Sequence, residues 1–183
     1  MIWWRFNCLC LLLLGSVFVA FGQNEVLQPQ TTIKSFRGFT LGMSLDQVKE
    51  QLQKDSYFIY AGEPDVYFLP ERKQLLIECR GSSFIRRAFF QFYEEKLFSL
   101  ILDLDETIID FYTLFTTIKG RYGQYLSFTP ENVVWEIQGV RLALEKPLTV
   151  KYLDLVTFNK IKEEGKATET IESMNLKQFL NEF

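Results

Sequence analysis

The sequence predicts an α+β fold in which an antiparallel sheet carries helices packed on one face. Three features point to it. Segments 44–54 and 107–122 place apolar residues at helical spacing. Each is followed by short segments that alternate apolar and polar residues, the period of a strand. The links between those segments are too short for the crossovers that parallel strands need. Two tandem helix-plus-strands units result, 36–105 and 106–158, within one α+β domain over 36–158.

The first helix begins at Ser44, a favoured N-cap, and Gln47 completes a capping box at the third helical position. Met43 and Val48 are placed as the hydrophobic staple across that cap. Leu45, Val48 and Leu52 form the stripe to be buried. Gly42 lets the backbone turn in tightly before the cap. Next, "YFIY" (57–60) and "VYFL" (66–69) flank a link from Ala61 to Asp65 and read as an aromatic hairpin. "QLLIEC" (74–79) and "FIRRAFFQFY" (84–93) flank the turn residues Gly81, Ser82 and Ser83. In 96–105, Phe98, Leu100, Leu102 and Leu104 share the core-facing side.

The second helix carries Ile108, Phe111, Tyr112, Phe115, Ile118 and Tyr122 as its apolar stripe. Asp105 or Thr107 is its expected cap, and Gly123 its stop. Four strands follow, "YLSF", "NVVWEI", "VRLALE" and "TVKYLDL", with Gln138-Gly139 as a tight turn. Val133, Trp135 and Ile137 face one side, as do Val140, Leu142 and Leu144 on the next strand. The charged tail, 159–183, reads as a solvated connector "IKEEGKATETIESMN" leading to a short helix in "NLKQFLNEF".

Residues 1–22 read as a signal peptide: Arg5, an apolar run, then Ala20 and Gly22 at the positions a signal peptidase selects. The mature chain would begin at Gln23, with 23–35 a flexible start. Neither Cys8 nor Cys10 lies in a lipobox. An exported, periplasmic or secreted protein is expected, without a membrane span after cleavage. Over the whole chain 20 Lys and Arg face 23 Asp and Glu, and no basic stretch offers a nucleic-acid surface. The absence of histidine removes Ser-His and Cys-His catalysis and histidine-ligated zinc. Cys79, the one cysteine beyond the signal, alternates with Leu75 and Ile77 and reads as a small buried hydrophobe. No cofactor and no metal are expected.

"GFTLGMSLDQVKEQL" (38–52) resembles the entry helix of exported bacterial SmpA/BamE-like proteins, whose outer-membrane assembly lipoproteins open similarly. "LFTTIKGRYGQ…VVWEIQGVRLALE", within 111–145, is similar to the second half of beta-lactamase-inhibitor-like modules, which repeat a helix-plus-sheet unit. The resemblance implies a non-catalytic, protein-contacting domain.

Asp103-Leu104-Asp105-Glu106-Thr107 resembles the first motif of haloacid-dehalogenase-type phosphatases. That resemblance implies Asp103 as nucleophile, Asp105 as acid/base, and Mg²⁺ beside the phosphate. The plainer reading puts Asp103 on the outward face of a strand and Asp105 at a helix start.

The expected function is an exported, non-catalytic binding or scaffold domain with a protein partner in the cell envelope, linked to envelope assembly. A secreted inhibitor-like module blocking an enzyme is the alternative. The aspartate-based, Mg-dependent phosphatase is third. Tyr57, Tyr60, Tyr67, Phe68, Arg86 and Arg87 form the candidate partner surface, because aromatics and arginine are enriched at interfaces. Arg86 and Arg87, as neighbours on a strand, are expected to point to opposite faces.

Overall fold

The computed structural model describes residues 33–69 and 73–180. The signal segment 1–22, and the flexible start as far as residue 32, lie outside the described residues. Ile33, within the segment expected to be flexible, is 1% exposed and belongs to the core.

A small hairpin comes first, β1 (Ser35–Phe36) and β2 (Phe39–Thr40). Its turn places Arg37 and Gly38 at φ of 48° and 87°, the left-handed region of a two-residue hairpin loop. The turn is tied to α1 (Leu45–Lys54). Arg37 donates from Nε and Nη2 to the two Asp55 carboxylate oxygens at 3.0 and 3.1 Å. Its guanidinium lies 3.9 Å from the centre of the Tyr57 ring. Asp55 is almost wholly enclosed, and a buried carboxylate is tolerated only with such a partner.

Ser44 caps α1 as its sequence implies. Gln47 N–H donates to Ser44 Oγ, and Ser44 N–H donates to Gln47 Oε1. Val48 and Leu52 are the buried residues of this helix. The segment before it is hydrogen-bonded to the sheet: Gly42 N–H donates to the Leu97 carbonyl at 2.7 Å, and Leu97 N–H to the Met43 carbonyl at 2.9 Å. Gly42 has φ of 96°, with open space where a Cβ would stand, so backbone conformation and not crowding selects glycine.

The main sheet has nine strands, all antiparallel. They are β3 (Phe58–Ile59), β4 (Val66–Leu69), β5 (Gln74–Gly81), β6 (Ile85–Tyr93), β7 (Lys96–Leu104), β8 (Ser127–Phe128), β9 (Asn132–Ile137), β10 (Val140–Glu145) and β11 (Thr149–Asp154). Their order is β3-β5-β6-β7-β11-β10-β9-β8, with β4 also on β5. The strands β5-β6-β7 of the first helix-led unit and β8-β9-β10-β11 of the second each form a meander, and their last strands, β7 and β11, pair to make one sheet. Register carries the core across the join. Ile77, Phe90, Leu100, Tyr152, Leu142 and Trp135 stand side by side on six strands, each 7% exposed or less. Cys79, Ala88, Leu102, Val150, Leu144 and Val133 form the next row, equally buried.

Several expectations are corrected. The segments 57–60 and 66–69 do not form a hairpin with each other. Both pair with β5, β3 at its end and β4 at its start. Phe98 is buried as expected, at 8% exposure, but Leu97 and not Phe98 stands opposite Phe92 and joins the main cluster, because a bulge shifts the register there. Helix α2 spans Phe111–Tyr122 and its cap is Asp110, whose carboxylate accepts from Thr113 N–H at 2.9 Å. Ile108 therefore precedes the helix. It and Tyr112 are exposed rather than core. The tail is one helix, α3 (Leu155–Leu180), and not a connector. Its Glu, Lys and Ala are strong helix formers, but it lacks an apolar stripe to announce it. Asp154 accepts from Thr157 N–H at its start, and Glu164 accepts from the Tyr93 hydroxyl at 2.7 Å.

Ser44→Ala should lower stability by roughly 0.5–2 kcal/mol. Leu52→Ala should cost about 2–5 kcal/mol through the cavity it opens. Chemical denaturation measures both, and midpoints equal to wild type would mean that α1 is not docked. Burial, then the nearby Asp65 and Glu78 charges, push the Cys79 thiol up to about 12. A folded value above the ordinary one gives stability that is present below about pH 9 and lost as the pH rises towards 12. Iodoacetamide at about pH 8 should label native protein at least tenfold more slowly than denatured protein, since the thiolate reacts. Equal rates would refute the buried placement.

Candidate functional site

The two faces of the sheet differ. α1 and α2 pack on the face of the two buried rows, through Val48, Leu52 and Ile118. The other face carries rows of mixed character, among them Glu78, Phe89, Ile101, Lys151, Ala143 and Val134. Its ion pairs include Arg87–Glu78 at 3.2 Å and Lys151–Glu145 at 2.6 Å. Such half-exposed pairs add little stability each and set charge among the apolar residues of this face.

Arg86 and Arg87 both serve this outer face. Register shifts between Ile85 and Arg87, so Arg86 is the extra residue of a bulge. It reaches Asp103 at 2.9 Å, and Arg87 reaches Glu78. The bulge cancels the strand alternation that would have sent them to opposite faces. The Arg86–Asp103 hydrogen bond raises the Arg86 pKa, so the guanidinium stays charged.

The remaining candidates are dispersed. Tyr57 lies against Arg37 and stacks on Phe84, with ring centres 6.2 Å apart. Tyr60 is half-buried against the core. Phe68 pairs through its backbone with Leu75. Tyr67 is exposed and shares a hollow with Arg87. That hollow, about 440 Å³, is lined by Ile59, Ala61, Asp65, Tyr67, Glu78, Cys79, Arg80 and Arg87.

Asp103 and Asp105 stand at the end of β7, but they do not converge. Asp103 is held by Arg86. Asp105 accepts from both the hydroxyl and the backbone N–H of Thr107, at 2.6 and 2.9 Å. Those hydrogen bonds, the hydroxyl first, keep its carboxyl below the usual range. Among the described residues no three His, Cys, Asp or Glu side chains are grouped to hold a metal. The strands around the motif are antiparallel, whereas a dehalogenase-type site needs a parallel sheet.

An aromatic cluster at the β8 edge was missed by sequence reasoning. Phe115 lies 5.9–6.4 Å, centre to centre, from Tyr112, Tyr125, Phe128 and Trp135. Trp135 is fully enclosed, and its indole N–H donates to the Gly123 carbonyl at 3.1 Å, fixing the end of α2. Lys119 Nζ stands about 6 Å from the rings of Phe115 and Tyr125. At this anchored base, Tyr112 is 71% exposed and Phe128 56%, with Leu126 two residues before Phe128 at 65%; Ile108, ahead of the helix, is 55% exposed. The helical stripe signalled burial for Ile108 and Tyr112. Only the true start at Asp110, and the two-residue length of β8, leave them uncovered.

Among the described residues no helix is long and apolar enough to cross a membrane. No curated protein and no solved structure matches the chain. A family model described as the TP0088 domain matches residues 34–164, from the start of the first hairpin into α3, and the chain thus belongs to the TP0088 domain family.

Proposed function

We propose that this is an exported domain, periplasmic or secreted, that binds a protein partner in the cell envelope and has no catalytic site of its own. The observation that supports the reading best is the exposed apolar surface at the β8 edge, where Tyr112 and Phe128 both lie against the Phe115 ring and Leu126 stands two residues before Phe128. Large apolar side chains gathered at one place in contact with water favour association, and aromatics dominate such contacts. Lys119 at its margin supplies a charge that orients a partner without being buried itself. The signal-like residues 1–22 and the resemblance of 38–52 to SmpA/BamE-like proteins support the envelope as the compartment. The outer face, where Arg87 pairs with Glu78 and Lys151 with Glu145, fits a scaffold that stays hydrated beside that surface.

A photo-crosslinking side chain placed at Phe128 in intact cells tests the reading. One discrete protein adduct is expected from the envelope fraction, on a chain that begins at or near Gln23, with none from the same probe at exposed Ser83. Tyr112→Ser combined with Phe128→Ser should abolish the adduct formed from a probe at Leu126. That double variant should change folding stability by no more than about 1 kcal/mol, because both side chains are mostly in water. An uncleaved chain retained in the cytosol, or equal labelling at Phe128 and Ser83, would overturn the proposal.

A further inference from the structure

The hollow beside β5 is at the opposite edge of the sheet from the β8 patch. It exists because two strands share one neighbour. β3 pairs with Arg80 and Gly81, and β4 with Gln74 to Ile77. The chain between them, with a short 3₁₀ turn at Glu63–Asp65, leaves the line of pairing. Its volume of about 440 Å³ suits a small molecule.

Its charges are arranged unusually. Arg80 and Arg87 are directly opposite in the β5–β6 register, a juxtaposition of like charges that disfavours the sheet. Arg87 is compensated by Glu78. Arg80 has no ion-pair or hydrogen-bond partner among the described residues. Asp65 accepts one hydrogen bond, from Ala61 N–H at 2.7 Å, and pairs with no cation among the described residues. An unpaired guanidinium and an unpaired carboxylate thus line the same hollow without meeting each other. Exposed Ile59 and Tyr67, at 58% and 53%, supply apolar surface beside them.

We infer that the hollow binds a zwitterion with an apolar side group, an amino acid or a very short peptide. Its carboxylate pairs with Arg80, with Arg87 adjacent, and its ammonium pairs with Asp65. Its side group covers Tyr67 and Ile59. Guanidinium–carboxylate pairing is directional, so Arg80 fixes the orientation, and the ammonium of the ligand relieves the isolated Asp65. The inference does not depend on a protein partner at the β8 patch.

Titration calorimetry of the full mature chain with L-phenylalanine and with the dipeptide of two phenylalanines tests it and separates the two sources of the zwitterion. At least one should bind with a Kd below about 1 mM. Phenylalanine amide lacks the carboxylate, and N-acetylphenylalanine lacks the ammonium. Each should bind at least about tenfold more weakly than the parent, the loss of one charge-assisted hydrogen bond. Arg80→Gln and Asp65→Asn should reproduce those two losses, with circular dichroism unchanged. The inference is overturned if neither zwitterion binds, or if the amide and acetyl compounds bind as well as phenylalanine. Binding unaffected by Arg80→Gln would overturn it too.

Discussion

The pairing of β7 with β11 is the constraint on which the rest of the structure depends. These are the last strands of two separate meanders, about fifty residues apart in sequence, and the chain between them carries α2 and the strands β8, β9 and β10. Without that ladder each meander would end in an open edge with one side of its apolar row exposed. With it, Leu100 meets Tyr152 and Leu102 meets Val150, and both buried rows run unbroken from β5 to β9. The early part of β7 extends past β11, and the Gly42–Met43 segment hydrogen-bonds to it there. The strand is therefore covered along both edges, and the first helix is positioned by the same strand that joins the units. Burial pushes the Tyr152 phenol up, consistent with its place inside this join.

A core arranged on one face leaves the other face and the two sheet ends to interact with the surroundings. Arginines and carboxylates of the outer face pair among themselves across strands, which keeps it hydrated and discourages further sheet stacking. The ends differ from it. At one, a two-residue strand is too short to cover the aromatic cluster of α2. At the other, β3 and β4 divide the edge of β5 between them and leave a hollow whose Arg80 and Asp65 have no ion-pair partner among the described residues. Both features arise from short edge strands, so the same economy of pairing produces an apolar surface at one end and a polar one at the other.

Much of the architecture was legible in the sequence. The Ser44–Gln47 capping box, the Gln138-Gly139 turn and the alternation of Val133 with Trp135 and of Val140 with Leu142 each report local geometry, which local sequence controls. What was hidden is non-local. No residue near 57–69 signals that β3 and β4 both choose β5 over each other. Bulges at Arg86 and before Phe98 change which side chains face inward, yet neither involves a glycine or proline that would mark it. The apolar stripe at Ile108 and Tyr112 looked buried because periodicity reports a face and not whether anything covers it. Asp103 and Asp105 illustrate the converse: a suggestive spacing whose side chains turn to separate local partners, Arg86 and Thr107. For the partner surface, composition identified Tyr67 and Arg87, which share a hollow, but not Arg80 and Asp65 beside them, whose significance lies only in their having no ion-pair partner among the described residues.

Native-state hydrogen exchange, read residue by residue, tests the central claim most directly. If the β7–β11 ladder unites the two meanders, the amides of Leu100, Leu102, Val150 and Tyr152 that are hydrogen-bonded in the ladder should exchange only through global unfolding. Inner strands of both units should then share one opening free energy, equal to that from denaturant. A set of β9, β10 and β11 amides opening together at a clearly lower free energy, while β5, β6 and β7 stay protected, would contradict the account. The chain would then be two independent modules that merely abut.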